Sequence, residues 1–211
     1  MRRKAFFLAA AIFALILAGC GGGDHGPSII VQDVVSDGGT NDGDITDSSG
    51  LFSVFTSDLS PNTIQVAFNA PVESRGFITF SLATIPVTAS IQRATVFLPI
   101  LEAVPAGLNA SVALFPDMVT FPPLDTLITQ TDRQNAFFAT PILSGPSFEV
   151  FPGDAGVDVT FDATDAVIQA NSLALPTLQM RLIAGSGLVT IDDLLVPATG
   201  AGTPLLRVEF L

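Results

Sequence analysis

The chain has no Trp and no Tyr, a single Cys, a single His, and no Lys beyond residue 4. Each absence narrows what it can do. One thiol permits no intrachain disulfide and no cysteine-based zinc site. The one histidine, His25, lies in a Gly- and Asp-rich stretch and reads as a solvated bystander. Nucleophilic catalysis by a Ser-His-Asp or Cys-His set therefore has no histidine to work with. Charged residues are only 13% of the 211, against 48% apolar, a composition that supports a core rather than disorder throughout. With the larger aromatics missing, the 17 Phe are the main bulky core formers.

Positive charge is scarcer still. Three of the eight basic residues, Arg2, Arg3 and Lys4, stand in front of an unbroken apolar run from Ala5 to Ala18. At about 14 residues this run is short of the roughly 20 that a spanning helix needs. A basic start and a short apolar stretch ending in small residues read as a secretory signal. The tetrad Leu17-Ala18-Gly19-Cys20 resembles the lipobox of bacterial lipoproteins, and it contains the only cysteine of the chain. The resemblance implies cleavage before Cys20, with Leu17, Ala18 and Gly19 as the signal-peptidase recognition residues. The Cys20 thiol is the sulfur nucleophile that accepts a diacylglyceryl group. Acyl chains contribute about 0.8 kcal/mol per buried methylene, enough for stable anchoring when two or more are present. Gly21 rather than Asp after the cysteine implies, by the same resemblance, an outer-membrane or cell-surface location in the envelope.

Removal of residues 1–19 leaves five basic residues against 20 acidic ones, a formal charge of −15. Such a surface repels phosphate backbones, so nucleic acid is not expected as a partner. Residues 20–50 then read as the lipidated Cys followed by a flexible acidic linker, with six Asp and no basic residue between Gly21 and Gly50. Repelling charges and Gly keep such a segment extended, with a reach of about 30 Å. Its one apolar interruption, Ser28 to Val35, could add a strand. The Asp37 to Asp47 stretch has the alternating oxygen donors that calcium favours. It misses the EF-hand spacing and has no Glu as final bidentate ligand, so solvated linker is the expectation and no metal is assigned.

From Leu51 the pattern becomes short alternating runs punctuated by Pro and Gly. Ile64, Val66 and Phe68 share a face, as do Ile78, Phe80 and Leu82, and Ala94, Val96 and Leu98. Val157, Val159 and Phe161 alternate, and Leu206, Val208 and Phe210 close the chain. These strands predict an all-β domain over 51–211, a jelly-roll-like antiparallel β-sandwich. One short helix is predicted over Ala163 to Asn171, capped by Asp162 or Thr164.

The segment Arg75-Gly76-Phe77-Ile78-Thr79-Phe80-Ser81-Leu82, then Ile85-Pro86, then Ile91 to Leu98, resembles the DNRLRE-type domain. Val119-Thr120-Phe121, Val157 to Val167 and the closing Pro204 to Phe210 extend the resemblance over most of 51–211. It implies a jelly-roll sandwich of exported bacterial proteins, related to carbohydrate-binding modules. Trp is absent where many members carry it, and Ser81 stands where Asp is usual. Sugar sites favour Trp and Tyr as platforms, so only Phe could stack here. The domain's Arg75, Arg93, Arg133, Arg181 and Arg207 face 14 acidic residues, which disfavours acidic glycans.

Glycoside hydrolysis needs only two suitably separated carboxylates. Asp154, Asp158, Asp162, Asp165 and the Asp192-Asp193 pair are the candidates, with spacings equally those of turn and capping residues. Asp192-Asp193 reads best as a turn, and a cation held by these carboxylates would be structural. Arg75, opening an apolar strand, is expected to lie partly buried against a carboxylate, with facing a ligand as the alternative. The sequence thus predicts a lipid-anchored envelope protein carrying a non-catalytic binding or interaction module, with no cofactor beyond the lipid on Cys20. A carbohydrate-binding module is the second reading and a carboxylate-based glycan-active enzyme the third. Partners are the membrane through the lipid, and a polysaccharide or an envelope protein.

Overall fold

The computed structural model describes residues 28–59, 61–194 and 202–211. The expected leader over 1–19, Cys20 and His25 lie outside the described residues. The N-terminal half contributes β1 (Ile30–Val35), β2 (Gly43–Ser48), β3 (Leu51–Thr56), β4 (Thr63–Asn69), β5 (Val72–Ser81), β6 (Ile91–Val104) and β7 (Val112–Met118). Helix α1 (Gln130–Phe137) follows, then β8 (Leu143–Ser144), β9 (Phe148–Val150), β10 (Asp158–Asp162) and helix α2 (Thr164–Ser172). The chain closes with β11 (Thr177–Ala184), β12 (Gly187–Asp192) and β13 (Leu205–Phe210). All strand pairings between these elements are antiparallel.

The strands follow the order β1-β13-β6-β12-β4-β5-β11-β7-β8, with β2 on β5, β3 on β2, β10 on β6 and β9 on β7. The path turns into a sandwich at β5. Ser74 pairs with Ala67 of β4 on one side and Thr46 of β2 on the other. Two residues later Gly76 pairs with Leu182 of β11 instead of β4. β4 therefore peels away from β5 and enters the opposite half, passing over Gly76. A Cβ at Gly76 would lie 2.8 Å from Val66 Cγ2 and 2.9 Å from Ile64 Cγ2, so the crossing requires glycine.

Between the halves lies the main core: Ile64 and Val66, Ile78, Phe80 and Leu82, Ala94, Val96 and Leu98, and Leu206, Val208 and Phe210 are buried as their alternation predicts. Each large side chain so buried contributes about 1.5–3 kcal/mol. Phe68 is an exception at 39% exposed, because β4 and β5 run on past the sandwich as a hairpin. Helix α2 covers part of the core with Ala166, Val167 and Ala170. Asp162 Oδ1 accepts from the Thr164 amide at 2.8 Å and from its hydroxyl at 2.6 Å, which starts this helix.

Helix α1 is a second helix that the apolar periodicity does not announce. Its start is a capping box: Thr129 Oγ1 accepts from Asp132 N, and the Asp132 carboxylate accepts from Thr129 N. With the preceding loop it covers the outer face of β5 and β2, creating a second core of Ile45, Phe52, Phe77, Val119, Phe121, Leu124, Leu127, Ala136 and Phe137. This is why β5 is buried on both faces. Two glutamine amides fasten the cover by imitating a neighbouring strand. Gln130 accepts from Phe52 N at 2.8 Å and donates to Phe52 O at 2.9 Å. Gln179 does the same with Phe121 at 3.1 and 2.9 Å.

The expected linker over 20–50 requires correction where it is described. β1 pairs with β13 along its whole length, and β2 lies between β3 and β5. The fold therefore includes residues ahead of 51. Asp42 and Asp44, expected to be solvated, are buried acceptors for backbone amides. Ser49 and Gly50, both with positive φ, form the two-residue turn joining β2 and β3, the geometry that matches strand twist.

Candidate functional site

The registers of β6, β12, β4, β5, β2 and β3 align Val104, Leu188, Ala67, Ser74, Thr46 and Ser53 in one cross-strand row. Small side chains in the middle of that row leave a trough. Phe55, two residues on from Ser53, and Gln65 and Asn69, flanking Ala67, project from the same face because side chains repeat every second residue. The groove so formed measures about 790 Å³ and is lined by Thr46, Phe55, Gln65, Asn69, Val72, Ser74 and Leu188 with the loop after β6.

Three properties distinguish this groove. No ionisable side chain lines it, in a chain with 20 acidic residues. Phe55 presents its ring to solvent at 54% exposure. The Gln65 and Asn69 side-chain amides make no hydrogen bond among the described residues, whereas Thr46 Oγ1 and Ser74 Oγ are paired at 2.7 Å in the floor. An aromatic face beside free amides, in neutral surroundings, suits an uncharged ligand with both apolar faces and hydroxyl or carbonyl groups.

A more enclosed cavity of about 450 Å³ opens where β10 and α2 approach β7 and β8. Phe161, Met118, Met180 and Leu143 are among its apolar walls, and Arg93, Asp162 and Asp165 among its charged ones. Its polar atoms are largely engaged. Asp162 starts α2, and the two Thr164 hydrogen bonds hold its carboxyl below the ordinary range, with Arg93 adding to them. Ser144 Oγ donates to Asp117 at 2.6 Å.

The other expected carboxylates are dispersed. Asp154 accepts from Phe151 N at 2.8 Å and closes a turn. Asp158 and Asp192 line one shallow depression, Asp192 also accepting from Leu194 N at 3.1 Å. Among the described residues no three carboxylate, histidine or cysteine side chains converge. Asp193, expected in a solvated turn, is instead 3% exposed and lies beside buried Asp42. Burial pushes Asp193 up to about 6, against the Ser57 and Ser36 hydroxyls. Burial, then the Asp193 charge, pushes Asp42 up to about 8. Asp44 is raised to about 6 by burial, although it accepts from the Gln65 backbone N–H.

Arg75 takes the structural position expected of it. Its Nε meets Glu73 at 2.6 Å, its NH1 donates to Phe137 O at 2.6 Å, and its guanidinium lies 4.0 Å over the Phe137 ring. Arg181, buried, converges on the same carbonyl at 2.9 Å and pairs with Asp117 at 2.6 Å. Two cations thus stand at the C-terminus of α1, where the helix dipole favours them.

The groove residues escape sequence reasoning because they come from five strands and a loop that only the register aligns. Against known proteins, the chain matches no family model and no curated protein.

Proposed function

We propose that this chain is a lipid-anchored protein of the bacterial cell envelope, at the outer membrane or cell surface, whose β-sandwich is a non-catalytic binding module. Cys20, preceded by Leu17-Ala18-Gly19, carries the diacylglyceryl anchor, and the β2–β3–β4–β5–β12 groove is the binding face. The observation that carries the binding role is the uncharged groove with solvent-facing Phe55 and the two free amides of Gln65 and Asn69. Phe68, Phe115, Phe138 and Phe151 also meet solvent, but Phe55 alone among them lines this groove.

A neutral polysaccharide is the second reading of the same groove. It draws on the resemblance to DNRLRE-type and carbohydrate-binding domains and on the ring-plus-amide lining, which suits a pyranose face and its hydroxyls. The mature lipidated chain in detergent is screened on a neutral glycan array and, in parallel, crosslinked in envelope preparations. Phe55→Ala is expected to lose whichever partner the wild type captures. Capture of a protein and no saccharide by the folded chain would favour the interaction module over the glycan reading. Retention of the partner by both Phe55→Ala and Gln65→Ala would overturn the groove as binding face. Anchoring is tested separately with Cys20→Ala, which is expected to accumulate as uncut, unlipidated precursor.

A further inference from the structure

Away from the groove, the loop before β2, the ends of β1 and β3 and the residue after β12 meet in a buried oxygen-rich knot. Asp42 is fully buried and Asp193 is 3% exposed. Asp42 Oδ1 accepts from Thr79 N at 2.8 Å and Oδ2 from Gly38 N at 3.2 Å. Ser36 Oγ stands 3.3 Å from Asp193 Oδ1. Ser57 donates its amide to Asp42 O at 2.9 Å and its hydroxyl to Gly39 O at 3.2 Å. Gly38 and Gly39, with φ of 59° and 60°, wrap the loop around the Asp42 carboxylate. Asp193 Oδ2 has no hydrogen-bond partner among the described residues, although the side chain is buried.

Among the described residues no cationic side chain neutralises this pair. Arg75 is held by Glu73, Arg181 by Asp117 and Arg207 by Asp33. Arg133 donates to the carbonyls of Leu127, Ile128 and Phe52. Arg93 lies at the opposite cavity beside Asp162, and the mature chain has no Lys. Two carboxylates taken out of water side by side, one with an orphaned oxygen, require an exogenous positive charge to remain ionised. We propose that Asp42 and Asp193 are the charged ligands of a calcium-type divalent cation, assisted by the Ser36 and Ser57 hydroxyls.

The donor chemistry selects the class of ion. Every candidate ligand is a hard oxygen, carboxylate or hydroxyl, with the Gly39 carbonyl close by, and no nitrogen or sulfur is present; such sets suit calcium and magnesium. The ligands come from four separate stretches, with the Asp42 carboxylate oriented by two backbone amides and Asp193 facing a serine hydroxyl. That irregular arrangement suits the flexible coordination of calcium better than the strict octahedron of magnesium. The consequence is mechanical: the ion would tie β1 and β2, the strands nearest the lipid anchor, to the end of β12.

The test uses the mature full chain, stripped with chelator and dialysed, in calorimetric titrations with calcium chloride and magnesium chloride and in thermal unfolding with each salt or with EDTA. Calcium is expected to bind one ion per chain and to raise Tm progressively with its concentration, since it binds only the folded state. Asp193→Asn, nearly isosteric, is expected to weaken calcium binding at least tenfold, and Ser36→Ala, which keeps both charges, to weaken it measurably while the far-UV spectrum is unchanged. Asp192→Asn, altering the half-buried neighbour that accepts from Leu194 N, is expected to leave the one-ion calcium response in place. Absence of both heat and Tm shift in the wild type would overturn the proposal and leave the pair sharing a proton. So would a calcium response that survives Asp193→Asn and Ser36→Ala together, or one lost with Asp192→Asn alone.

Discussion

Replacing Arg181 with Met removes the cationic half of a buried ion pair while keeping most of the side-chain volume. Arg181 and Asp117 are both buried and meet at 2.6 Å between β11 and β7, where they are register partners. The substitution leaves Asp117 with only the Ser144 hydroxyl and strips the Ala139 carbonyl of its partner; Phe137 O keeps Arg75. Breaking a buried pair from one side costs about 3–5 kcal/mol, most of it the penalty of an uncompensated charge. Neutralising the partner as well should recover part of that loss, so Asp117→Asn/Arg181→Met is expected to be more stable than Arg181→Met alone by roughly 1–3 kcal/mol. Urea unfolding followed by far-UV circular dichroism measures both differences, with an unchanged m-value as the check that only stability moved. The reasoning is refuted if Arg181→Met costs under about 1 kcal/mol, or if the double variant is no more stable than the single.

Gly76→Ala is expected to destabilise by about 1–3 kcal/mol, read as a lower urea midpoint, because the new methyl would overlap Val66 and Ile64 at the β4 crossing. A chain beginning at residue 51 is expected to show no cooperative thermal transition: β3 loses its only partner strand among the described residues, and the second core loses Ile45. A sharp transition in that shorter chain would show β1 and β2 to be dispensable. Asp33 is held below the ordinary carboxylate range by its hydrogen bonds to Arg207, so its contribution is present above about pH 4 and lost as pH falls through the depressed value. Because both side chains are more than two-fifths exposed, Asp33→Asn should cost under about 1 kcal/mol at neutral pH and nothing in strong acid. A deficit that persists unchanged in acid would exclude the ion pair as its source.

Much of the sandwich is legible in the amino-acid order because alternation is local. Ile78-Thr79-Phe80-Ser81-Leu82 places its apolar members on one face whatever they later pack against, and that face is the main core. Helix α2 is legible for the same reason, its Asp162-Thr164 start being written next to its apolar stripe. Helix α1 carries a local signal too, in Thr129 and Asp132, but its residues are mostly polar and only Ala136 and Phe137 are buried, so periodicity does not mark it. The stretch ahead of Leu51 misleads for a different reason. Gly and Asp are what a solvated tether uses, and the same residues form tight turns and internal hydrogen-bond acceptors when amides are supplied from afar.

Residue type and neighbours in the chain suffice for the leader-like pattern with the lone cysteine at position 20, the acidity, the missing catalytic histidine in the domain, and the antiparallel all-β character. That Asp42 and Asp193 share a buried knot, and that Thr46, Phe55, Gln65 and Asn69 line one groove, follows from the folded arrangement alone. The same holds for Phe77, which faces a second core rather than solvent. These depend on strand register and on which segment covers which face. Register and packing are set by sums of weak contacts between distant residues, which no single stretch of chain records.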